Sequence, residues 1–182
     1  MQIVSGVLRE LPEGVPKRLA HYRYRVFVER LGWDLPAFDG QEKDQFDRPD
    51  TVYVVGQEEG WVIGCARLLP STRPYLLSEV FPQLLNGLTP PSSPEIWELS
   101  RFAAVDFDAK QTSPLGQFSS PIAVQLLKES LVCAASHGAK RLLTVSPLGV
   151  ERLLRRAGFN CRRAGPPVLV DGFPVFACWI PC

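Results

Sequence analysis

Hydrophobic positions in this chain switch between a period of two and a period near 3.6, and the switches divide it into short strands and helices. Ile3 to Leu8 is a short apolar run that fits a first strand. After Pro12 and Gly14, Leu19, Tyr22, Val26 and Phe27 fall at helical spacing with Arg18, Arg25 and Glu29 on the wet side, which predicts a helix over Val15 to Leu31. Thr51 to Val55 and Trp61 to Leu69 read as strands around a turn in GQEEG. A short helix is expected around Leu77 to Leu85, and the proline-rich LTPPSSPE leads into a strand over Glu95 to Val105.

The alternation continues to the end. Pro121 to Ser136 places Ile122, Leu126, Leu127, Ser130, Leu131 and Ala134 near one helical face and stops at Gly138. Arg141 to Val145 reads as a buried strand. Ser146 and Pro147 then suit the N-cap and first position of a helix, whose apolar stripe is Val150, Leu153, Leu154 and Ala157 and whose end is Gly158. Two strands are expected around Asp171 and Gly172. Together these elements predict one α/β domain over residues 1–182, a mixed and mostly antiparallel sheet flanked by helices.

Two stretches break the pattern. Residues 32–49, GWDLPAFDGQEKDQFDRP, are rich in Asp, Gly and Pro yet carry Trp33, Phe38 and Phe46, which suits a loop that folds over something. The second is WELSRF, residues 97–102, where charges enter a buried strand. Regular alternation puts Glu98, Ser100 and Phe102 on one face and Trp97, Leu99, Arg101 and Ala103 on the other. A lone buried charge is costly, so each needs a partner: Asp44 or Asp47 for Arg101, Arg23 or Arg67 for Glu98. A local bulge would bring Glu98 and Arg101 into one site. A purely structural ion pair is the competing reading.

Composition narrows the function classes. With 182 residues and 46% hydrophobic content the chain builds one core, and a net charge of +1 argues against a generally basic nucleic-acid binder. His21 and His137 are isolated, so no histidine-rich metal site is expected. Cys65, Cys133, Cys161, Cys178 and Cys182 form no CxxC pair, which fits a reduced protein with small buried thiols. The start MQIVSGVLRE lacks a leader pattern and no run reaches about 18 apolar residues, so the expectation is a soluble, cytoplasmic protein with no membrane partner.

Arg23, Phe27 and Trp33 stand in RYRVFVERLGW, Asp44 and Asp47 in DQFD, Arg67 in GCARLLP, and Glu98, Ser100 and Arg101 in ELSRF. Taken in order, these motifs resemble those of acyl-homoserine-lactone synthases of the LuxI type. Weaker likeness follows in GVERLLRRAG and RAGPP. The resemblance implies a fold similar to that of the GNAT acetyltransferases. It also implies acyl transfer from an acyl carrier protein or coenzyme A to the amine of S-adenosylmethionine, followed by lactone closure and release of methylthioadenosine. S-adenosylmethionine is then a substrate, and no prosthetic group or metal is expected.

That chemistry assigns roles. Asp44 and Asp47 suit the substrate ammonium or neighbouring arginines, Arg23 or Arg101 its carboxylate, and Phe27 and Trp33 its adenosine or sulfonium; Arg67 completes the set. Glu98 is the first choice to take the amine proton, with Asp44 as the rival. Ser100, Phe102 and Thr144 are expected at the acyl chain, and the resemblance connects Thr144 with a 3-oxo chain. Arg152, Arg155, Arg156, Arg162 and Arg163 form a basic patch that suits an acidic carrier protein, or is only a solvated face. The alternatives are a coenzyme-A-dependent N-acyltransferase, disfavoured because KQTSPLGQFSS lacks a glycine-rich pyrophosphate loop, and a noncatalytic ligand-binding module.

Overall fold

The computed structural model of the chain describes residues 1–107, 121–148, 150–170 and 172–182. The stretch KQTSPLGQFSS and the turn residue Asp171 lie outside the described residues, as does the side chain of Leu153. The strands are β1 (Gln2–Val7), β2 (Ala37–Phe38), β3 (Gln41–Glu42), β4 (Val52–Glu58), β5 (Trp61–Pro70), β6 (Ile96–Ala103), β7 (Arg141–Pro147), β8 (Arg162–Arg163), β9 (Val168–Val170) and β10 (Phe173–Pro181). The α-helices are α1 (Val15–Arg23), α2 (Leu76–Glu79), α3 (Pro121–Ser136) and α4 (Val150–Arg156).

The main sheet runs β1-β4-β5-β6-β7-β10-β8, with β9 also paired to β10. All its pairings are antiparallel except β6 with β7. Alternation in β4 and β5 sorts side chains between two covers. Val54, Ala66 and Leu68 join Leu99 and Leu142 beneath Ala123, Leu126 and Leu127 of α3. On the other face Tyr53, Val55 and Cys65 meet Val15, Leu19, Tyr22, Val26 and Phe27. Farther along that face Leu69, Leu143 and Ala177 pack with Phe46, Tyr75, Leu77 and Leu84. The mixed, mostly antiparallel sheet between helices matches the expectation.

Three local differences bear on the site. The helix predicted over Val15 to Leu31 changes register after Arg23 and continues as a π-helix over Tyr24–Arg30. Its wide turn is closed by Leu31 N–H to the Val26 carbonyl at 3.0 Å and followed by Trp33 N–H to the Phe27 carbonyl at 2.9 Å. The loop over residues 32–49 contains the small hairpin β2–β3, whose turn residues Asp39 and Gly40 take φ of 49° and 65°. His21 Nδ1 lies 3.0 Å from the Gly40 carbonyl and ties that hairpin to α1.

The third difference corrects an expectation: Ser146 and Pro147 do not cap α4. They end β7, paired with Phe176 and Val175 of β10, because the apolar neighbour strand extends the ladder past the point where local N-cap chemistry predicts a helix. Cys65, Cys133, Cys161 and Cys178 are the buried free thiols expected, but Cys182 is exposed, because it follows the last residue of β10 and no described element covers it. Among the described residues no helix is long and apolar enough to cross a membrane.

Candidate active site

The motif residues of the first half converge on the β5–β6 face beside the π-helix. Arg23 is 2% exposed and fully engaged: its Nε donates to Glu42 Oε2 at 2.6 Å, and its Nη1 and Nη2 donate to the two Asp47 oxygens at 2.6 and 2.9 Å. Arg67, pointing from β5, donates to Asp44 Oδ1 at 2.6 Å, Asp47 Oδ1 at 3.2 Å and Ser100 Oγ at 3.0 Å. Arg101 donates to Glu42 Oε1 at 3.1 Å and Asp44 Oδ2 at 2.8 Å. Three guanidinium groups thus face three carboxylates in a buried lattice, the arrangement in which charges tolerate removal from water.

Within this lattice Asp47 is saturated. Besides Arg23 and Arg67 it accepts from Tyr53 Oη at 2.6 Å and from the Asp44 amide at 2.8 Å. Burial acts to raise its pKa, but Arg23, Arg67 and Tyr53 outweigh that and hold it well below the ordinary carboxylate range. Arg23 is driven still more strongly to its charged form by Asp47 and Glu42. Of the two roles considered for the aspartates, holding neighbouring arginines is the one this geometry fills. Oxygens of Glu42, Asp44 and Asp47 come within 4.8 Å of one another, yet the arginines already neutralise them.

WELSRF departs from regular alternation at one point. Arg67 faces Ser100 and Cys65 faces Ala103, so one extra residue is accommodated in β6. Arg101 sits at that bulge with φ of 50°, the left-handed region that a non-glycine residue enters at a cost of about 1–2 kcal/mol. The turn swings its guanidinium to the face of Glu98 and Ser100. Its Cζ lies 5.5 Å from the Phe27 ring centroid, and Phe27 stacks on Trp33 with centroids 5.1 Å apart and planes 24° apart. Trp33 remains 46% exposed, a partly open aromatic wall beside the charged lattice.

Glu98 does not pair with Arg23 or Arg67, which corrects the expected partners, and Arg101 bonds Glu42 and Asp44 rather than Asp47. The two Glu98 oxygens instead accept the Leu77 and Leu76 amides at 2.7 and 2.9 Å, satisfying free donors at the start of α2. Burial pushes the Glu98 pKa up to about 7, although those amides and the charges of Arg67 and Arg101 pull it down.

The predicted acyl residues divide between the two faces. Thr144 pairs with Leu99 and Cys178, is 6% exposed, and shares a face with Leu142 on the α3 side. Phe102 packs on that same cluster. Ser100 lies on the opposite face, bonded to Arg67. Registered pairing of β6 with β7 ends at Leu99 and Thr144, although β6 goes on to Ala103 and β7 to Pro147, so Ser100 to Ala103 border the gap between parting strands.

Arg152, Arg155 and Arg156 are exposed on α4, and Arg162 and Arg163 are exposed on β8. Glu151 draws in Arg155 at 3.1 Å and Arg163 at 2.7 Å. Arg152 and Arg156 have no ion pair among the described residues. Two side chains of the buried lattice escape the sequence reading: Glu42, 0% exposed, and Tyr53, 1% exposed. Charge balance carries no signal for Glu42, because Asp44, Asp47 and Glu98 already match the three motif arginines in number; the third place opens only because Glu98 is taken by the Leu76 and Leu77 amides.

The chain is similar to known proteins over nearly its whole length. The family model described as Autoinducer synthase matches residues 9–182. An acyl-homoserine-lactone synthase of Acinetobacter nosocomialis is 55% identical over 181 residues, 99% of each chain. The crystal structure of TofI in a ternary complex with an inhibitor and MTA superposes with a TM-score of 0.83 at 46% identity, covering 100% of this chain and 91% of that one. BjaI, a CoA-dependent acyl-homoserine lactone synthase solved with SAM and isopentyl-CoA, gives 0.84 at 30% identity, covering 98% and 81%. An acyl-CoA N-acyltransferase from Pseudomonas aeruginosa, at 17% identity and a TM-score of 0.64 over 98% and 97% of the two chains, shares the fold alone. With a family match over nearly its whole length and acyl-homoserine-lactone synthases among its relatives above half identity, the chain belongs to the autoinducer synthase family.

Proposed function

We propose that this protein makes an acyl-homoserine lactone, a quorum-sensing signal, from S-adenosylmethionine and an acyl thioester of carrier protein or coenzyme A. The observation that carries the reading is the gathering of Arg23, Asp44, Asp47, Arg67 and Arg101 with the Phe27–Trp33 stack on the sheet face where β6 and β7 part. A substrate with an ammonium, a carboxylate, a sulfonium and an adenine needs paired charges and aromatic surface at one end, and a thioester needs an opening at the other.

The amine nitrogen attacks the thioester carbonyl carbon, the C–S bond breaks and the thiol departs with a proton. Glu98 accepts the amine proton, directly or through water; its pKa of about 7 leaves much of it ionised at neutral pH. No enzyme nucleophile is required. Backbone N–H groups of β6 beyond Leu99 are the donors suited to the tetrahedral oxyanion. The substrate carboxylate then attacks the carbon bound to the sulfonium, closing the lactone and expelling neutral methylthioadenosine, with Arg101 the guanidinium best sited to align it.

Phe102 and Thr144 line the acyl side, and the Thr144 hydroxyl suits a 3-oxo group. Arg152 and Arg156 offer uncompensated charge to an acidic carrier protein. The proposal includes a single functional domain over the whole chain and a cytoplasmic setting, supported by five free thiols. The test is product identification by mass spectrometry after incubation with S-adenosylmethionine and a panel of carrier-protein and coenzyme A thioesters. Acyl-homoserine lactone is the expected product. Acylation of an added amine in its place would return the assignment to a general N-acyltransferase.

A further inference from the structure

Between Arg67 and Cys65 the β5–β6 ladder carries one residue too many, and the chain takes up the excess at Arg101. Left-handed backbone at an arginine persists only where its surroundings hold it. Two contacts act there. The guanidinium is held by Glu42 and Asp44, and the carbonyl of the same residue accepts a hydrogen bond from Cys65 Sγ at 3.1 Å. Cys65 is 1% exposed, directly across the ladder from Ala103 and one residue after Gly64, where an added Cβ would come within 3.2 Å of Leu126 and 3.4 Å of the Ala103 carbonyl. Neither the charged lattice nor the acyl-transfer steps use this thiol. Burial pushes its pKa up to about 12, so it stays protonated and remains a donor.

We propose that Cys65 is a positioning residue: its thiol clamps the Arg101 carbonyl at the β6 bulge and so keeps the Arg101 guanidinium turned toward Glu42 and Asp44. If the carbonyl is released, the backbone at Arg101 can relax toward ordinary extended geometry, and regular alternation would carry the side chain to the α3 face. The proposal rests on reading this site as the one that takes S-adenosylmethionine.

Two pairs of variants test the clamp by calorimetric binding of S-adenosylmethionine and by thermal melting. Cys65→Ser keeps a donor and Cys65→Ala removes it. Cys65→Thr and Cys65→Val make the same comparison at matched shape, and serve if the alanine variant does not fold. The donor-bearing variants are expected to bind within about threefold of wild type and the donorless ones about tenfold more weakly, as suits one lost hydrogen bond. Equal binding within both pairs, whether retained or lost, overturns the clamp. Absence of binding by the wild-type protein itself overturns the reading of the site, and is distinct from wild-type binding that the donor leaves unmoved.

Discussion

Arg101 and Glu42 lie 59 positions apart in sequence and meet at 3.1 Å with both side chains almost fully buried. Glu42 reaches this contact from β3 of the small hairpin, and the same carboxylate holds Arg23 at 2.6 Å from the end of α1. One buried carboxylate therefore ties a helix, a loop hairpin and the bulged strand together. Removing its charge should be severe, because breaking a buried pair strands the remaining charges, at about 3–5 kcal/mol. Glu42→Gln is expected to lower Tm by about 10 °C, read by differential scanning calorimetry. An unchanged Tm would deny Glu42 this role.

Glu98 gives a pH signature. Its pKa in the folded protein is raised from an ordinary 4.5 to about 7, so between those values the folded state holds a proton that the unfolded state has released. Stability from this group is therefore greatest at low pH and declines as pH rises through that window, the reverse of a salt-bridged carboxylate. The difference in unfolding free energy between wild type and Glu98→Gln should fall from pH 4.5 to 7 and level off above. Over the same range acyl transfer by wild type should rise as the base ionises, while the glutamine variant shows a flat profile about 100-fold or more below the wild-type plateau. Unchanged turnover in the variant would remove Glu98 from the base role.

Thr144 shares the α3 face with Phe102, and its hydroxyl is the polar group proposed for a 3-oxo chain. Thr144→Val preserves shape and deletes that hydroxyl. The kcat/KM ratio for 3-oxo over unsubstituted thioesters of equal length is expected to drop by about tenfold, the worth of one hydrogen bond. A constant ratio would leave Thr144 as a β-branched strand residue.

The basic patch is uneven, since Glu151 occupies Arg155 and Arg163 but not Arg152 or Arg156. Reversing charge at Arg152 and Arg156 together should raise KM for acyl carrier protein by about tenfold, with kcat unchanged and a weaker dependence on salt. The same reversal at Arg155 and Arg163 should do less. Equal effects of the two double variants, or none, would argue for a solvated helix face.

Periodicity made most of the fold legible. Pro121–Ser136 is the helix its apolar face predicts, and the strand runs lie where alternation puts them. Errors arose where long-range pairing overrides local preference. Ser146 and Pro147 have helix-start chemistry, yet β10 recruits them into β7. The π-helical turn at Tyr24–Arg30 leaves no mark on a 3.6-residue pattern. In the site, the resemblance of the spaced motifs points to Arg23, Arg67 and Arg101; Arg67 and Arg101 also stand out as charges in apolar strands, whereas Arg23 lies among Arg18, Arg25 and Arg30. Glu42 was hidden among Lys43, Asp44 and Arg48, where a buried carboxylate looks like any wet loop residue. Alternation did raise the right question about Glu98 and Arg101; the bulge that answers it depends on the register of β5, which no single strand encodes.

The proposed reaction couples one acyl transfer to one lactone closure on the same substrate molecule. The most direct measurement follows acyl-homoserine lactone and methylthioadenosine together by quantitative mass spectrometry, with purified enzyme, S-adenosylmethionine and the preferred thioester. Both are expected in equal amounts throughout the time course, and omitting the thioester should abolish both. Methylthioadenosine formed without lactone, or neither product with any thioester, would contradict the proposed reaction.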